Sequence, residues 1–251
     1  MNKLANTHSR LVEKLGRLIA KGQWNEQGHL PREDDLASQF AVSRTIVREA
    51  TKTLQALGLV ITRPRTGSRI QPISKWRLLD AQVMKWIAEG EISPRMVRDL
   101  IDLRAMIEPT AAAYAADRAN EAQCQAIAQA LKEMIAAKNQ TAHKRADFRF
   151  HEAILEASDN MFFLQLRPVL HAVLEGSFKV SMNDPSRLKA SIRVHEKVYN
   201  AILARSPDAA RFSMLELLGV ARTDIEHYYS QSGSGEAGPR RSKAGFHSYD
   251  H

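Results

Sequence analysis

The 251-residue sequence predicts a mostly α-helical chain in two parts, a small three-helix head closed by a β-hairpin and a larger all-α antiparallel bundle. Three observations predict it. Periodicity and breakers give helix, helix, helix, hairpin over residues 1–75, the order of a winged helix-turn-helix. From about residue 78 strand signals vanish and seven helical patterns follow. Finally, the charge is uneven: residues 1–75 hold 13 Lys and Arg against 6 Asp and Glu, whereas residues 76–229 hold 20 against 20. A basic head on a neutral body suggests a polyanion binder, because released counterions drive such association.

Residues 8–22 (HSRLVEKLGRLIAKG) read as an amphipathic helix, residues 32–40 as a short second one, and AVSRTIVREATKTLQALG as a third that stops at Gly58. LVITRP and GSRIQP are β-branched runs around Arg65-Thr66-Gly67, a hairpin. Helices are expected at 78–89, 94–117, 121–138, 144–157, 161–181, 187–205 and 208–229, joined at Gly90, Asn120, 139–142, 159–160, 183–185 and 206–207. The domains expected are therefore 1–75 and 76–229. Residues 230–251 have almost nothing apolar to bury and are expected to be disordered.

No apolar run approaches the roughly 20 residues that cross a bilayer, and the polar start MNKLANTHSR lacks the apolar core of a secretory signal, so a cytoplasmic protein without membrane partners is expected. Cys124 is the only cysteine, which excludes an internal disulfide and a multi-cysteine zinc site.

In FAVSRTIVREA the turn Ala41-Val42 leads to Ser43, a good N-cap, and puts Arg44, Thr45 and Arg48 at the exposed front of the third helix. Ile46, Val47, Ala50 and Leu54 can pack behind them. Such a helix front fits the major groove, where Arg grips a guanine edge bidentately and Thr reaches a phosphate or base. The tip Arg65-Thr66-Gly67 brings backbone and a cation to the adjacent groove.

LPREDDLASQFAVSRTIVREATKTLQALGLVITRPRTGSRI, Leu30 to Ile70, resembles the winged-helix signature of GntR-type bacterial transcription regulators almost end to end. The resemblance implies DNA contacts at Arg44, Thr45, Arg48 and Gly67. Where that family often has a basic residue after the glutamate of its LP.E motif, this chain has Asp34; Arg32 is the alternative phosphate contact.

DFRFHEAILEAS, Asp147 to Ser158, wound at 100° per residue, puts Arg149, Glu152 and Glu156 on one side. Asp147 and His151 share the other side with Ile154 and Leu155, where an unpaired polar group costs roughly 2 kcal/mol or more. His195 sits likewise among Leu188, Ile192, Tyr199 and Ile202, and Arg104 among Val97, Leu100, Ile101, Ile107 and Ala111. A guanidinium facing a bundle interior needs an anion. Glu108, four residues on, is one partner; an effector carboxylate is the other.

LIDLRAMIEPTAAAYAADRA, DFRFHEAILEASDN and VHEKVYNAI resemble the FadR branch of the same family, whose helical ligand domain is called FCD; the likeness spans about Leu78 to Tyr228. It implies a divalent metal held by Asp147, His151 and His195 beside a carboxylate effector. Oxygen and imidazole ligands suit zinc, nickel or manganese. The fourth ligand position of that branch is Leu217 here, which cannot bind metal. His143, one turn before Asp147, is a substitute, and a hydrogen-bonded Asp147, His151, His195 cluster without metal is the alternative. KWRLLDAQVMKWIAEGEISPRM, with Trp76, Leu79, Asp80, Val83 and Trp86, resembles the regulators of galactonate catabolism within the branch, which implies a sugar-acid effector. Arg149, Asn160, Ser177, Lys179 and Ser181 are candidates for its hydroxyls, with Arg104 for its carboxylate.

The expectation is a homodimeric repressor that reads a palindromic operator and leaves it when a small carboxylate binds. Two rivals stand beside it: a regulator whose bundle only dimerises, and a metal-dependent hydrolase using an Asp/His/His site to activate water.

Overall fold

A computed structural model of the chain describes residues 3–24, 28–63, 67–90, 92–172 and 185–231. In the head, α1 (Lys3–Ala20) turns Leu11, Val12, Leu15 and Ile19 onto Leu36 of α2 (Glu33–Phe40) and onto Val47, Ala50 and Leu54 of α3 (Arg44–Ala56). That three-four spacing gives each helix one apolar stripe. Helix α2 stops at Ala41, whose φ of 52° is left-handed, and Ser43 caps α3 by accepting from the Ile46 N–H at 3.3 Å. Gly58, at φ 82°, turns the chain into β1 (Val60–Arg63), which pairs antiparallel with β2 (Gly67–Ile70), Val60 opposite Ile70 and Arg63 opposite Gly67.

A single 3-10 turn at Ile73–Lys75 leads to α4 (Ala81–Glu89), capped by Asp80, which accepts from the Gln82 and Val83 N–H groups. Trp86 of α4 is fully buried in the head. Its indole N–H donates to Glu13 Oε2 at 2.9 Å, and its ring lies over Gly16, where a Cβ would come within 2.5 Å. The packing thus carries the head's core past residue 75 to include a helix that sequence had grouped with the bundle.

The bundle holds α5 (Pro94–Arg118), α6 (Glu121–Ile135), α7 (Gln140–Ala157), α8 (Met161–Leu164), α9 (residues 167–172), α10 (Pro185–Leu203) and α11 (Pro207–Gln231). Helix α5 lies along α7, α10 and α11, and α6 along α7 and α10. Ala111, Ala112, Ala115 and Ala116 let the neighbours approach α5 closely, and Phe150, Ile154, Leu155, Val198, Ile202 and Met214 fill the space.

Several boundaries differ from expectation: α1 begins at Lys3 rather than residue 8, α4 at Ala81 rather than 78, and α6 ends at Ile135 rather than 138; two further differences have a clear local cause. Helix α7 starts at Gln140 rather than residue 144, because Asn139 caps it by accepting from the Ala142 N–H at 2.9 Å. The single helix expected at 161–181 is broken: α8 ends at Leu164, residues 165–166 turn, and α9 begins at 167. Pro168 explains the break, since it has no N–H for the Leu164 carbonyl and is tolerated only in a first turn. Among the described residues no helix is long and apolar enough to cross a membrane.

Candidate metal centre and nucleic-acid interface

Three helices aim polar side chains into the bundle. Asp147 and His151 come one turn apart from α7, His195 from α10, and one ligand-type atom of each lies within 4.8 Å of the others; all three are buried. The two imidazoles meet edge-on with ring centroids 5.5 Å apart, and Phe150 packs edge-on against both, 5.8 Å from His151 and 5.0 Å from His195. The fourth position, Leu217, is buried in the apolar core. His143 is buried one turn from Asp147 but is not in the three-residue group.

Proton placement decides what this group can hold. His195 Nδ1 lies 2.7 Å from the Ser191 carbonyl, which can only accept, so Nδ1 carries the proton. Nε2 is then left as a lone pair 3.0 Å from Asp147 Oδ1 and makes no hydrogen bond. Two acceptors at that distance repel unless a cation, or a second proton, lies between them. His151 differs: its Nδ1 lies 2.6 Å from Glu108 Oε2, so an N–H there donates to the carboxylate, and its Nε2 lone pair faces the Arg104 Nη2 donor. Imidazoles fixed by a carbonyl or carboxylate behind them are the usual supports of a metal ligand. The donor set therefore fits a divalent cation.

Arg104 and Glu108 of α5 form the adjoining wall. Arg104 Nε donates to Glu108 Oε1 at 2.5 Å and Nη2 to Oε2 at 3.3 Å, and the same Nη2 is 3.3 Å from His151 Nε2. Burial alone would raise the Glu108 carboxyl, but Arg104 and His151 hold it down to about 2. Burial would likewise raise Asp147; with a second proton on His195 Nε2, that contact, His151 and Arg104 hold it well below the usual carboxylate range. Burial pulls Arg104 down, yet Glu108 and Asp147 push it up on balance. One cation faces two anions, so the wall keeps one net negative charge with neutral imidazoles; a divalent ion would turn that to net positive and attract a carboxylate. A small apolar hollow adjoins Arg104 and Glu108, walled by Leu103, Ile107, Leu155, Leu166, Val169 and Leu170.

The structure thus brings Asp147, His151, His195 and Arg104 together. Arg149 it places on the outside, where it pairs with Glu133 at 2.5 Å. Asn160 caps α8, accepting from the Phe162 N–H at 3.0 Å. Neither joins the cluster; Ser177, Lys179 and Ser181 lie outside the described residues. Glu108 is the residue that sequence reading undervalued, weighed there only as a helical neighbour of Arg104. Its own signal was present: it falls on the buried stripe one turn after Arg104.

In the head, Arg32, Ser43, Arg44, Thr45 and Arg48 are all exposed, as is Gly67 at φ 75°; Arg65 and Thr66 lie outside the described residues. Arg44 pairs with Asp34, and Arg48 Nη2 with Glu33 Oε2 at 3.1 Å.

Comparison with known proteins agrees with both halves. Residues 7–70 match the model for bacterial regulatory proteins of the gntR family, and residues 99–219 the FCD domain. The galactonate operon transcriptional repressor of Escherichia coli K12 is 31% identical over 85% of this chain and 94% of its own length. An HTH-type transcriptional regulator of the same strain, YieP, is 34% identical over 80% of this chain and 87% of its own. The Glc operon transcriptional activator, also of that strain, is 28% identical over 80% and 82%. Among solved structures, one titled "Lar controls the expression of the Listeria monocytogenes agr system and mediates virulence" shares the fold at a TM-score of 0.60 and 15% identity, covering 90% of this chain and 98% of its own. E. coli McbR/YncC does so at 0.51 and 16%, covering 92% and 100%. With a winged head and an FCD bundle in one polypeptide, the chain belongs to the gntR family of bacterial regulatory proteins, as a FadR-like transcription regulator rather than an enzyme.

Proposed function

We propose that the chain is a homodimeric repressor of sugar-acid catabolism that leaves a palindromic operator when galactonate or a related aldonate enters the bundle. The observation that carries this reading is the convergence of Asp147, His151, His195 and Arg104, from three helices, on one buried spot. The E. coli galactonate operon repressor, similar over most of both chains, supports the class of acid. Asp147, His151 and His195 hold a zinc, nickel or manganese ion, which when bound supplies a Lewis-acid anchor for a carboxylate. Arg104, whose Nε and Nη2 already bind Glu108, offers its remaining N–H groups to the same carboxylate. Ser43, Arg44, Thr45, Arg48 and Gly67 carry the DNA contacts, with Arg32 at the backbone. A regulator of this kind works in the cytoplasm, where the DNA is. An effector that binds more tightly to the form whose heads do not fit both half-sites releases DNA by population shift.

The test is thermal unfolding of the full chain across a panel of aldonates, with and without chelator, alongside DNA retention. A specific acid at a hundredfold excess over its Kd adds about 2.7 kcal/mol of stability, and the same acid reduces DNA retention. If no carboxylate shifts the transition while DNA binding is intact, the bundle only dimerises and the effector reading is wrong.

A further inference from the structure

Two carboxylates stand on the surface that reads DNA. Glu33 and Asp34 occupy the first turn of α2 and pair across to α3, Glu33 with Arg48 and Asp34 with Arg44. Stability does not explain the pairing: the Asp34 and Arg44 side chains are 58% and 70% exposed, and an ion pair so placed contributes little. Asp34 also stands where the resembling motif often carries a cation. A carboxylate here would repel phosphates lying within a Debye length. Its presence therefore works against the electrostatic attraction that the rest of the basic head supplies.

We propose that Asp34 is a specificity-determining residue of the DNA-reading surface: by engaging Arg44 it withdraws that arginine from indiscriminate phosphate binding and aims it at a base edge. The inference rests on the head being the DNA-binding unit. Phosphate oxygens only accept hydrogen bonds, so an arginine alone satisfies them and an attached carboxylate does not. The major-groove edge of a G·C pair differs, since guanine O6 and N7 accept while cytosine N4 donates. A guanidinium with a carboxylate at its side matches that mixed edge and mismatches the backbone. The pair therefore trades general affinity for readout of a G·C position. Because Arg44 is the first residue of α3, its side chain stands at the helix front, where base edges are met.

The experiment selects binding sites from a random duplex pool with the full-length protein, its Asp34→Asn, Asp34→Glu and Arg44→Ala variants and the Asp34→Asn/Arg44→Ala double variant. It then measures binding to the selected site and to random duplex as salt is varied. Asp34→Asn is expected to bind random duplex more tightly, with a salt slope steeper by about 0.9 for one added phosphate contact. At one G·C position it is expected to lose about tenfold or more of its preference. Asp34→Glu restores both, and in the Arg44→Ala background the Asp34 change leaves base preference unaltered. An unchanged selected site together with an unchanged slope overturns the proposal, as does a uniform loss of affinity on every duplex. Failure of the unaltered protein to select any sequence would overturn the reading of the head, and this inference with it.

Discussion

The Nδ1–H of His195 is spent on the Ser191 carbonyl and that of His151 on Glu108, which leaves His195 Nε2 facing Asp147 and His151 Nε2 facing Arg104. The proposed metal site has an expected outcome: loaded with divalent ion, the unaltered protein retains it through desalting and His195→Ala and Asp147→Asn proteins do not, as measured by elemental analysis. Arg104→Ala leaves Glu108 charged and buried without its partner, which costs about 3–5 kcal/mol in chemical denaturation. Replacing both, as Arg104→Met with Glu108→Met, costs less than Arg104→Ala alone, because no orphaned charge remains. Which residues meet was partly legible beforehand. Asp147, His151, His195 and Arg104 broke apolar stripes within their own helices, and periodicity detects that. The Glu108 contact to His151 was not, since it depends on the register of α5 against α7, set by the small Ala111, Ala112, Ala115 and Ala116 side chains. Arg149 shows the converse: its place on the charged side of α7 already argued against an inward role.

Among elements, α4 was the one that sequence grouped with the bundle and that packs in the core of the head. Its apolar face is real, but nothing local says that it meets α1; that depends on Gly16 leaving room for the Trp86 ring. The other elements of the head carried their own signals, Ser43 as a cap and Gly58 as a stop. Gly58→Ala is expected to destabilise the head by more than about 1 kcal/mol, since φ is +82° and the new Cβ would lie 2.3 Å from the Lys75 carbonyl oxygen, which is backbone and cannot swing aside. Thermal unfolding followed by tryptophan emission measures it. Glu13 ties α1 to α4. Burial works to raise its carboxyl, but hydrogen bonds from Trp86, Lys85, Gln82 and Arg17 bring it from 4.5 to about 2. A depressed carboxylate stabilises the fold above its unfolded value, and the contribution is lost as pH falls from about 4.5 towards 2. Over that window the unaltered protein should lose more stability than Glu13→Gln, with Trp86 emission as the readout.

At the scale of the whole molecule, the residues proposed for reading and for sensing lie on different elements, and the two functions should separate. Arg48→Ala is expected to lose site-specific DNA binding while keeping any effector-induced rise in melting temperature. An Arg104 variant that still folds is expected to keep DNA binding and lose that rise. Retention assays and thermal shift on the same preparations measure both; operator binding by Arg48→Ala protein at physiological salt would show that α3 is not the reader. The division into a basic head and a neutral bundle was visible because charge and periodicity both change near residue 75. How the halves join was not, because that is written in tertiary packing.

The seat of Trp86 on Gly16 has a practical consequence for exchanging parts among such regulators. A hybrid spliced at residue 75 would leave this chain's head with a tryptophan-sized vacancy, or, in the reverse exchange, this chain's bundle with a bare indole. A splice after Gly90 would move α4 with its socket, so that hybrid is the one to yield folded, DNA-competent protein.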